Sequence, residues 1–116
     1  MSSRTHLAVE PVVTCGGLTE APVSEADAVS MAPVFKALGD PVRLRLASLI
    51  AAQPEVCVCD ITPAFALSAG TISHHLKTLR EAGIVTSERR GTYVWYRIAP
   101  ETLGALSAFL AVPATV

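Results

Sequence analysis

The chain has 116 residues, a formal net charge of −1 and 51% hydrophobic side chains, which is the size and make-up of one small domain. No apolar run reaches the roughly 18 to 20 residues that span a bilayer, and residues 1–20 lack the charged start and apolar block of a signal peptide. We therefore expect a cytoplasmic protein with no membrane partner. In that compartment its three cysteines are expected to be free thiols or metal ligands rather than disulfides.

Charge is unevenly distributed along the chain. Residues 1–30 hold one arginine against four carboxylates, a net charge of −3, whereas residues 68–97 hold five basic side chains against two glutamates, a net charge of +3. A basic segment is often only a solvated surface. Here it coincides with a helix-turn-helix pattern, which favours a nucleic-acid partner.

The N-terminal part is predicted to be an arm followed by a helix. Residues 1–23 contain proline and glycine without sustained periodicity, which predicts a mobile arm that carries Cys15. Ser24 is a good N-cap for the first helix. Pro33 either kinks this helix or starts a second short segment, and Gly39 ends it.

A second helix is predicted from Asp40-Pro41, because aspartate caps well and proline fits the first helical position. Its apolar side chains recur with helical spacing, and its arginines lie off that face. The apolar face comprises Val42, Leu46, Leu49 and Ile50. The Gln-Pro-Glu run at residues 53–55 ends the helix.

Two short helices come next, and their close succession is the signature of a helix-turn-helix. Asp60 is expected to cap the first, which runs to about residue 66. Ser68 is expected to cap the second, which covers about residues 70–81 and stops before Gly83. Three apolar side chains should dock this second helix on the core: Ile72, Leu76 and Leu79.

The C-terminal part is predicted to be a hairpin and a last helix. Residues 84–87 and 93–98 are β-prone and flank a turn-like link. Pro100 opens the last helix, whose apolar stripe comprises Leu103, Leu106, Phe109 and Leu110. The fold is therefore predicted to be mainly α with a β-hairpin, in one domain over residues 24–112 with a tail at 113–116.

The second helix of the predicted pair can lie in the major groove with its N-terminal side chains at base edges. Lys77 suits a phosphate, and arginines at the hairpin tip suit the minor groove or the backbone, although such arginines can also simply solubilise a turn. The candidate DNA contacts are Ser68, Thr71, Ser73, His74, Lys77, Arg89 and Arg90.

The adjacent histidines His74 and His75 look like a metal-binding pair. Neighbouring residues of a helix point to different faces, so the two imidazoles are not expected to chelate one ion. One is expected to face DNA, and the other to pack or bond locally.

Four segments resemble the ArsR/SmtB family of metalloregulatory winged-helix repressors, over about residues 34–98. They are FKALGDPVRL at residues 35–44, CVCDI at 57–61, TISHHLKTLREAG at 71–83, and the Arg90-Gly91 wing with Trp95-Tyr96. The resemblance implies a winged helix-turn-helix homodimer built on the first and last helices. It also implies that the dimer binds an inverted-repeat operator in double-stranded DNA and represses transcription until an inducer arrives. The likeness is closest to the arsenic-responsive branch.

The chain departs from the family pattern in three places. Ala69-Gly70 stands where members often carry Gln-Pro, so a common base contact is lost. Thr62 stands where the arsenic site has its third cysteine. The zinc site that some members carry on the last helix needs histidines and carboxylates, and residues 100–112 offer only Glu101, so that site is excluded.

Cys57 and Cys59 are the candidate ligands beside the helix-turn-helix. Residues i and i+2 of a regular helix point roughly 200° apart, so both sulfurs can hold one ion only from an extended or distorted helix start. Cys15 is left as the third sulfur, and the resemblance implies that it reaches across to the partner subunit.

Three thiolates suit trigonal As(III) or Sb(III) as the inducer, with no cofactor required. Zinc in a structural site takes four ligands, and Cd(II) sensors of this family use four sulfurs. Pb(II) accepts three sulfurs, so a Pb(II)- or Cd(II)-responsive repressor is the alternative. Binding is expected to distort the helix start at Asp60 and tilt the reading helix, so that two half-sites are no longer engaged together.

Other interpretations of the cysteines stay open. The pair can serve as small buried hydrophobic residues. It can also form a thiol-redox switch, in which a bond to Cys15 is easier than a strained bond across one residue. An enzyme or thiol carrier is disfavoured, because no basic loop beside the pair would cradle an oxyanion and the helix-turn-helix would be unexplained.

Overall fold

A computed structural model of the chain describes residues 17–112. The helices are α1 (Glu25–Leu38), α2 (Pro41–Ala51), α3 (Val58–Ile61), α4 (Ala69–Glu81) and α5 (Pro100–Leu110), and a 3₁₀ turn covers Thr62–Ala64. The strands are β1 (Val56–Cys57), β2 (Val85–Arg90) and β3 (Tyr93–Ile98). The prediction of a mainly helical fold with a β-hairpin is confirmed. No helix within residues 17–112 is both long and apolar enough to cross a membrane.

Helix α1 begins at the predicted cap and runs without a break to Leu38. The Ser24 hydroxyl accepts the backbone N–H of Asp27 at 3.1 Å. Pro33 lies inside the helix on its exposed side, and so does Val29, whose carbonyl loses its usual partner. Water can reach that carbonyl, which explains why Pro33 does not start a second segment. Gly39 ends the helix with a φ of −84°, so the left-handed conformation that glycine permits is not used.

Helix α2 begins at Asp40 as predicted, with one carboxylate oxygen accepting the N–H groups of Val42 at 3.0 Å and Arg43 at 3.1 Å. Leu46 and Ile50 are completely buried. The other two residues of the predicted apolar face, Val42 and Leu49, are only half-buried and pack at the edge of the core.

The start of α3 differs from the prediction, because Cys57 and not Asp60 is its N-cap. Residues 56 and 57 are extended and pair with β3, so the chain passes from a strand directly into the helix. Asp60 lies inside the first turn, and the helical segment ends with the 3₁₀ turn at Ala64 rather than near residue 66. The prediction of the cap was wrong because it took no account of this third strand.

Helix α4 confirms the predicted position of the second helix of the pair. The Ser68 hydroxyl accepts the N–H of Thr71 at 3.1 Å, and the chain leaves the helix through Gly83, whose φ is +80°. The three apolar side chains that were expected to dock this helix are completely buried: Ile72, Leu76 and Leu79. Docking this face directs the opposite, polar face of α4 to solvent.

The hairpin is longer and tighter than predicted. Strand β2 continues through Arg90, which is opposite Tyr93, so the residues expected in the link are in fact paired with β3. Only Gly91 and Thr92 form the turn. Gly91 has a φ of +65° and Thr92 does not have a positive φ, which fits the type II′ turn that needs glycine first. The sheet order is β1-β3-β2.

Helix α5 buries only half of its predicted apolar stripe. Leu106 and Phe109 are in the core, whereas Leu103 is 36% and Leu110 is 50% exposed. The Phe109 ring lies 5.9 Å from that of Phe35, which joins α5 to α1. The last part of the predicted arm is tied to the same helix, because the N–H of Leu18 donates to the Phe109 carbonyl at 2.8 Å.

Candidate nucleic-acid interface and thiol site

The predicted DNA-reading side chains of α4 are all exposed. Thr71, Ser73, His74 and Lys77 are exposed, as is the cap Ser68. Ser68 is partly committed, since its hydroxyl also donates to the Thr71 hydroxyl at 2.9 Å. Nζ of Lys77 is 4.0 Å from a carboxylate oxygen of Glu81 in an exposed pair, which holds Lys77 weakly. These side chains can therefore present hydroxyl, imidazole and ammonium groups to a groove.

The two histidines have separate roles, as expected. His74 is exposed, whereas His75 is half-buried and its Nδ1 lies 3.2 Å from Nη1 of Arg43. Since arginine only donates, Nδ1 must be the acceptor. Nε of Arg43 also donates to the Ala37 carbonyl at 2.7 Å. Arg43 thus joins the end of α1 to the middle of α4, a role that its position off the apolar face did not reveal.

The two wing arginines are held differently. Arg90 donates to both carboxylate oxygens of Glu55, at 2.9 and 2.8 Å, and to Glu88 at 3.0 Å. Its guanidinium lies 5.3 Å from the Trp95 ring. The hydrogen bond from Arg90 is the main reason that the pKa of Glu55 is lower than usual. Arg89 is exposed and follows Glu88 in the strand, so it points to the other face of the sheet.

The two described cysteines lie at the junction of β1 and α3. Cys57 is extended (φ −78°, ψ 142°) and 2% exposed, and Cys59 is exposed. The N–H of Cys59 donates to Sγ of Cys57 at 3.4 Å. The pKa of the Cys59 thiol is raised, first by its hydrogen bond with the Cys57 thiol and then by desolvation. The pair thus lies at an extended helix start, the arrangement that its spacing requires for holding one ion.

The thiol pair alone offers two ligands. Within residues 17–112, no group of three or more His, Cys, Asp or Glu side chains is arranged to hold a metal ion. The third predicted ligand, Cys15, lies outside the described residues. Residues 18 and 19 lie beside the end of α5, where the N–H of Leu18 donates to the Phe109 carbonyl and the Thr19 hydroxyl donates to the Ala111 carbonyl at 3.4 Å.

Sequence reasoning missed Glu55 and Trp95, which connect the thiol pair to the wing. Cys57 is directly opposite Trp95 in the sheet, and Glu55 immediately precedes β1. No local signal marks these residues, because the pairing of Trp95 with Cys57 and the bonds of Glu55 with Arg90 both join distant parts of the chain.

The chain is similar to known bacterial transcriptional regulators. The family model described as "Bacterial regulatory protein, arsR family" matches residues 40–87. The chain is 48% identical over 77 residues to the arsenic resistance transcriptional regulator ArsR1 of Pseudomonas putida, a match that covers 66% of the chain and 60% of that relative. The chain thus spans less than two thirds of that relative's length.

Two further proteins extend the comparison. A homologue of the cadmium resistance transcriptional regulatory protein CadC from Staphylococcus aureus is 34% identical over 90 residues, covering 76% of the chain and 74% of that protein. The crystal structure of the AntR antimony-specific transcriptional repressor superposes with a TM-score of 0.65 at 29% identity, covering 77% of the chain and 81% of that structure. The chain therefore belongs to the ArsR family, whose members are transcriptional regulators and not enzymes.

Proposed function

We propose that this protein is a transcriptional repressor that binds operator DNA as a homodimer and is released when As(III) or Sb(III) binds its cysteine thiolates. The observation that carries the proposal is the position of Cys57 and Cys59 at the start of α3. That helix is the first of the helix-turn-helix pair, so an ion held there would act on the DNA-binding element itself.

The exposed surface of α4 supports DNA binding. Its N-terminal half would enter the major groove, with Thr71, Ser73 and His74 near base edges and Lys77 on a phosphate. Arg89 on the wing would contact the backbone or the adjacent minor groove. Operator sequence would be read without the Gln-Pro pair common in the family, because Ala69-Gly70 stands there.

Exposed apolar side chains on the first and last helices support a homodimer. Val29 on α1 is 67% exposed, and Leu103 and Leu110 on α5 are also exposed. Pairing two copies along these helices would remove this apolar surface from water. A dimer would also present two copies of α4, each to one half-site of an inverted repeat about one DNA turn apart.

The thiol chemistry supports a soft, trigonal ion as the inducer. Cys57 and Cys59 would supply two sulfurs, and Cys15 from the partner subunit is our proposed third. Three thiolates favour As(III) or Sb(III), whereas zinc in a structural site takes four ligands. The names of the Pseudomonas putida relative and of AntR agree with this choice. The name of the CadC homologue keeps a Cd(II)- or Pb(II)-responsive repressor as the second candidate.

Release would follow from a change at the helix start. An ion bound by both sulfurs would fix Sγ of Cys59 relative to Sγ of Cys57, and we propose that this shifts the start of α3, where the Cys59 N–H now donates to Sγ of Cys57. A small tilt of α4 in both subunits would then prevent simultaneous engagement of two half-sites. Allosteric coupling is typically about 1–3 kcal/mol, and a nearly complete population swing needs about 5.5 kcal/mol. By linkage, DNA must weaken inducer binding by the same factor.

The decisive experiment is fluorescence anisotropy of the protein on its own promoter DNA, titrated with arsenite, Sb(III), Pb(II), Cd(II) and Zn(II). Release at the lowest concentrations by arsenite or Sb(III), abolished by Cys57→Ser and by Cys59→Ser, is the expected result. Release by Pb(II) or Cd(II) alone would instead indicate a repressor that responds to divalent ions.

Two further arms complete this experiment. Cys15→Ser tests the third ligand, and mixed dimers of Cys15→Ser with Cys57→Ser subunits test whether the site crosses the interface. Release by a thiol oxidant in the absence of any added ion, reversed by a reductant, would instead support the redox switch. Equal arsenite affinity with and without DNA would contradict the coupling.

A further inference from the structure

The outer face of the small sheet carries a cluster of two acids, two arginines and one indole. Paired residues of antiparallel strands share a face, which puts Glu88 with Trp95 and Thr86 with Arg97. Glu55 reaches this face from the residue before β1, and its carboxylate lies 3.5 Å from Nη2 of Arg97. We call this set the outer-face cluster; it comprises Glu55, Glu88, Arg90, Trp95 and Arg97.

Arg90 makes three hydrogen bonds to carboxylates within the outer-face cluster. Both of its terminal nitrogens donate to Glu55, one of them also to Glu88, and its Cζ lies over the Trp95 ring. Two carboxylates therefore neutralise the charges of Arg90 and Arg97. A guanidinium held bidentately by a carboxylate cannot offer the same two N–H groups to a phosphate. Arg90 and Glu55 are 40% and 31% exposed, so water and a phosphate can both reach the pair.

Glu55 is also joined to the thiol pair through one short strand. Only Val56 separates it from Cys57, and Cys57 is directly opposite Trp95, over which Cζ of Arg90 lies. Arg90 leaves Glu55 when the side chain of Arg90 or Glu55 rotates or when the segment 55–57 moves. An ion that ties Cys57 to Cys59 would restrict that segment and favour the paired state.

We propose that Glu55 is a positioning residue of the wing: it competes with DNA phosphates for Arg90 and transmits the state of the Cys57–Cys59 pair to the wing. The second part rests on the proposed function. In the DNA-bound form Arg90 is shared between Glu55 and a phosphate, so the unmodified protein makes this phosphate contact only in part, and with the ion bound the Glu55–Arg90 pair holds Arg90 back.

The first test compares Glu55→Gln with the unmodified protein on a random-sequence duplex and on promoter DNA, over a series of salt concentrations. A phosphate contact that Glu55 no longer opposes should steepen the plot of log affinity against log salt by up to about 0.9. The advantage of the variant should be up to about threefold larger at 50 mM than at 200 mM salt. Arg90→Gln in the same chain should remove the gain. Glu101→Gln on α5, which changes the net charge equally, should leave the slope unchanged.

An unchanged slope, or weaker binding by Glu55→Gln, would overturn the proposal and make Glu55 a support of the wing. Thermal unfolding of each variant shows whether a loss of DNA affinity comes from misfolding. If Glu55→Gln fails to fold, Glu55→Ala and Arg90→Lys repeat the comparison, because the lysine keeps the charge but cannot bind a carboxylate bidentately.

The second test measures how far arsenite weakens the binding of promoter DNA. Arsenite should weaken DNA binding by a smaller factor in Glu55→Gln than in the unmodified protein. The affinity for arsenite in the absence of DNA should be the same in both proteins. An equal factor in both proteins would refute transmission through Glu55. If arsenite releases neither protein, the proposed function fails, while the salt slope on random-sequence DNA still decides whether Glu55 competes for Arg90.

Discussion

The hydroxyl of Thr102 donates to the carbonyl of Gly83 at 2.6 Å, and this bond joins the first turn of α5 to the turn that ends α4. Thr102 is completely buried and is the one buried polar side chain among residues 17–112. A second bond runs beside it, from the N–H of Ala99 to the Ile84 carbonyl at 2.9 Å. The helix proposed to pair the subunits is therefore tied to the helix proposed to read DNA.

Replacing Thr102 with valine keeps the shape of the side chain and leaves the Gly83 carbonyl without its hydroxyl partner. An unsatisfied buried acceptor costs about 1–3 kcal/mol, so the midpoint of thermal unfolding should fall by several degrees. Because the position of α4 relative to α5 is loosened, DNA affinity should fall as well. Thr102→Ser, which keeps the hydroxyl, is the matched control. Equal stability of the valine and serine variants would contradict this role.

Local signals in the sequence were enough to predict most of the helices. Ser24, Asp40 and Ser68 each cap the helix that their identity and spacing predicted, because a cap bonds to an N–H only two or three residues away. The buried face of α4 followed from its periodicity for the same reason. Cys57 and Cys59 lie at the start of α3, the first helix of the predicted pair.

Contacts between distant residues were the part that could not be predicted. Strand β1 has two residues, too few for a periodic pattern, and it exists only because β3 lies beside it. The missed strand made the cap at Asp60 wrong, since the true cap is the last residue of that strand. Arg90 and Glu55 are 35 residues apart in sequence, so nothing local indicated that Arg90 pairs with a carboxylate.

The Asp40 cap predicts a pH-dependent contribution to stability. The N–H of Arg43 is the main cause of the lowered pKa of this carboxylate, which favours its charged form in the folded protein. The stabilisation is thus present above the ordinary value of 3.8 and is lost as pH falls through the lower folded pKa. Asp40→Ala should be less stable at neutral pH, and the difference should shrink in acid.

Asp40→Asn separates the cap from the charge, because asparagine also accepts N–H groups at an N-cap but does not titrate. Urea unfolding, from pH 7 down to a pH below 3.8, measures the free energy of unfolding of all three proteins. The asparagine variant should keep its cap at every pH. A constant difference between Asp40→Ala and the unmodified protein across this range would be inconsistent with a charged cap.

Cys57 has a structural role that the choice of substitution must respect. Its Sγ accepts the N–H of Cys59 as the N-cap of α3, and its side chain is buried. Serine is a preferred cap, so Cys57→Ser should retain the fold, whereas Cys57→Ala should be less stable by about 0.5–2 kcal/mol. Both variants should lose the arsenite response. Retention of that response by the well-folded serine variant would show that Cys57 is not a ligand.

The fluorescence of Trp95 is expected to report the binding of an ion to the thiol pair. It is the only tryptophan in the chain, and it lies directly opposite Cys57 in the sheet. Side chains so paired have Cβ atoms about 4.5–5.5 Å apart, so a heavy ion on the Cys57 sulfur would lie against the indole. Arsenite should therefore change the fluorescence emission of Trp95 in the absence of DNA. The change should be complete when one arsenite is bound per Cys57–Cys59 pair. Cys57→Ser should abolish the change, and Cys15→Ser should weaken the affinity while leaving the signal. An emission that responds equally in Cys57→Ser would mean that the ion binds elsewhere.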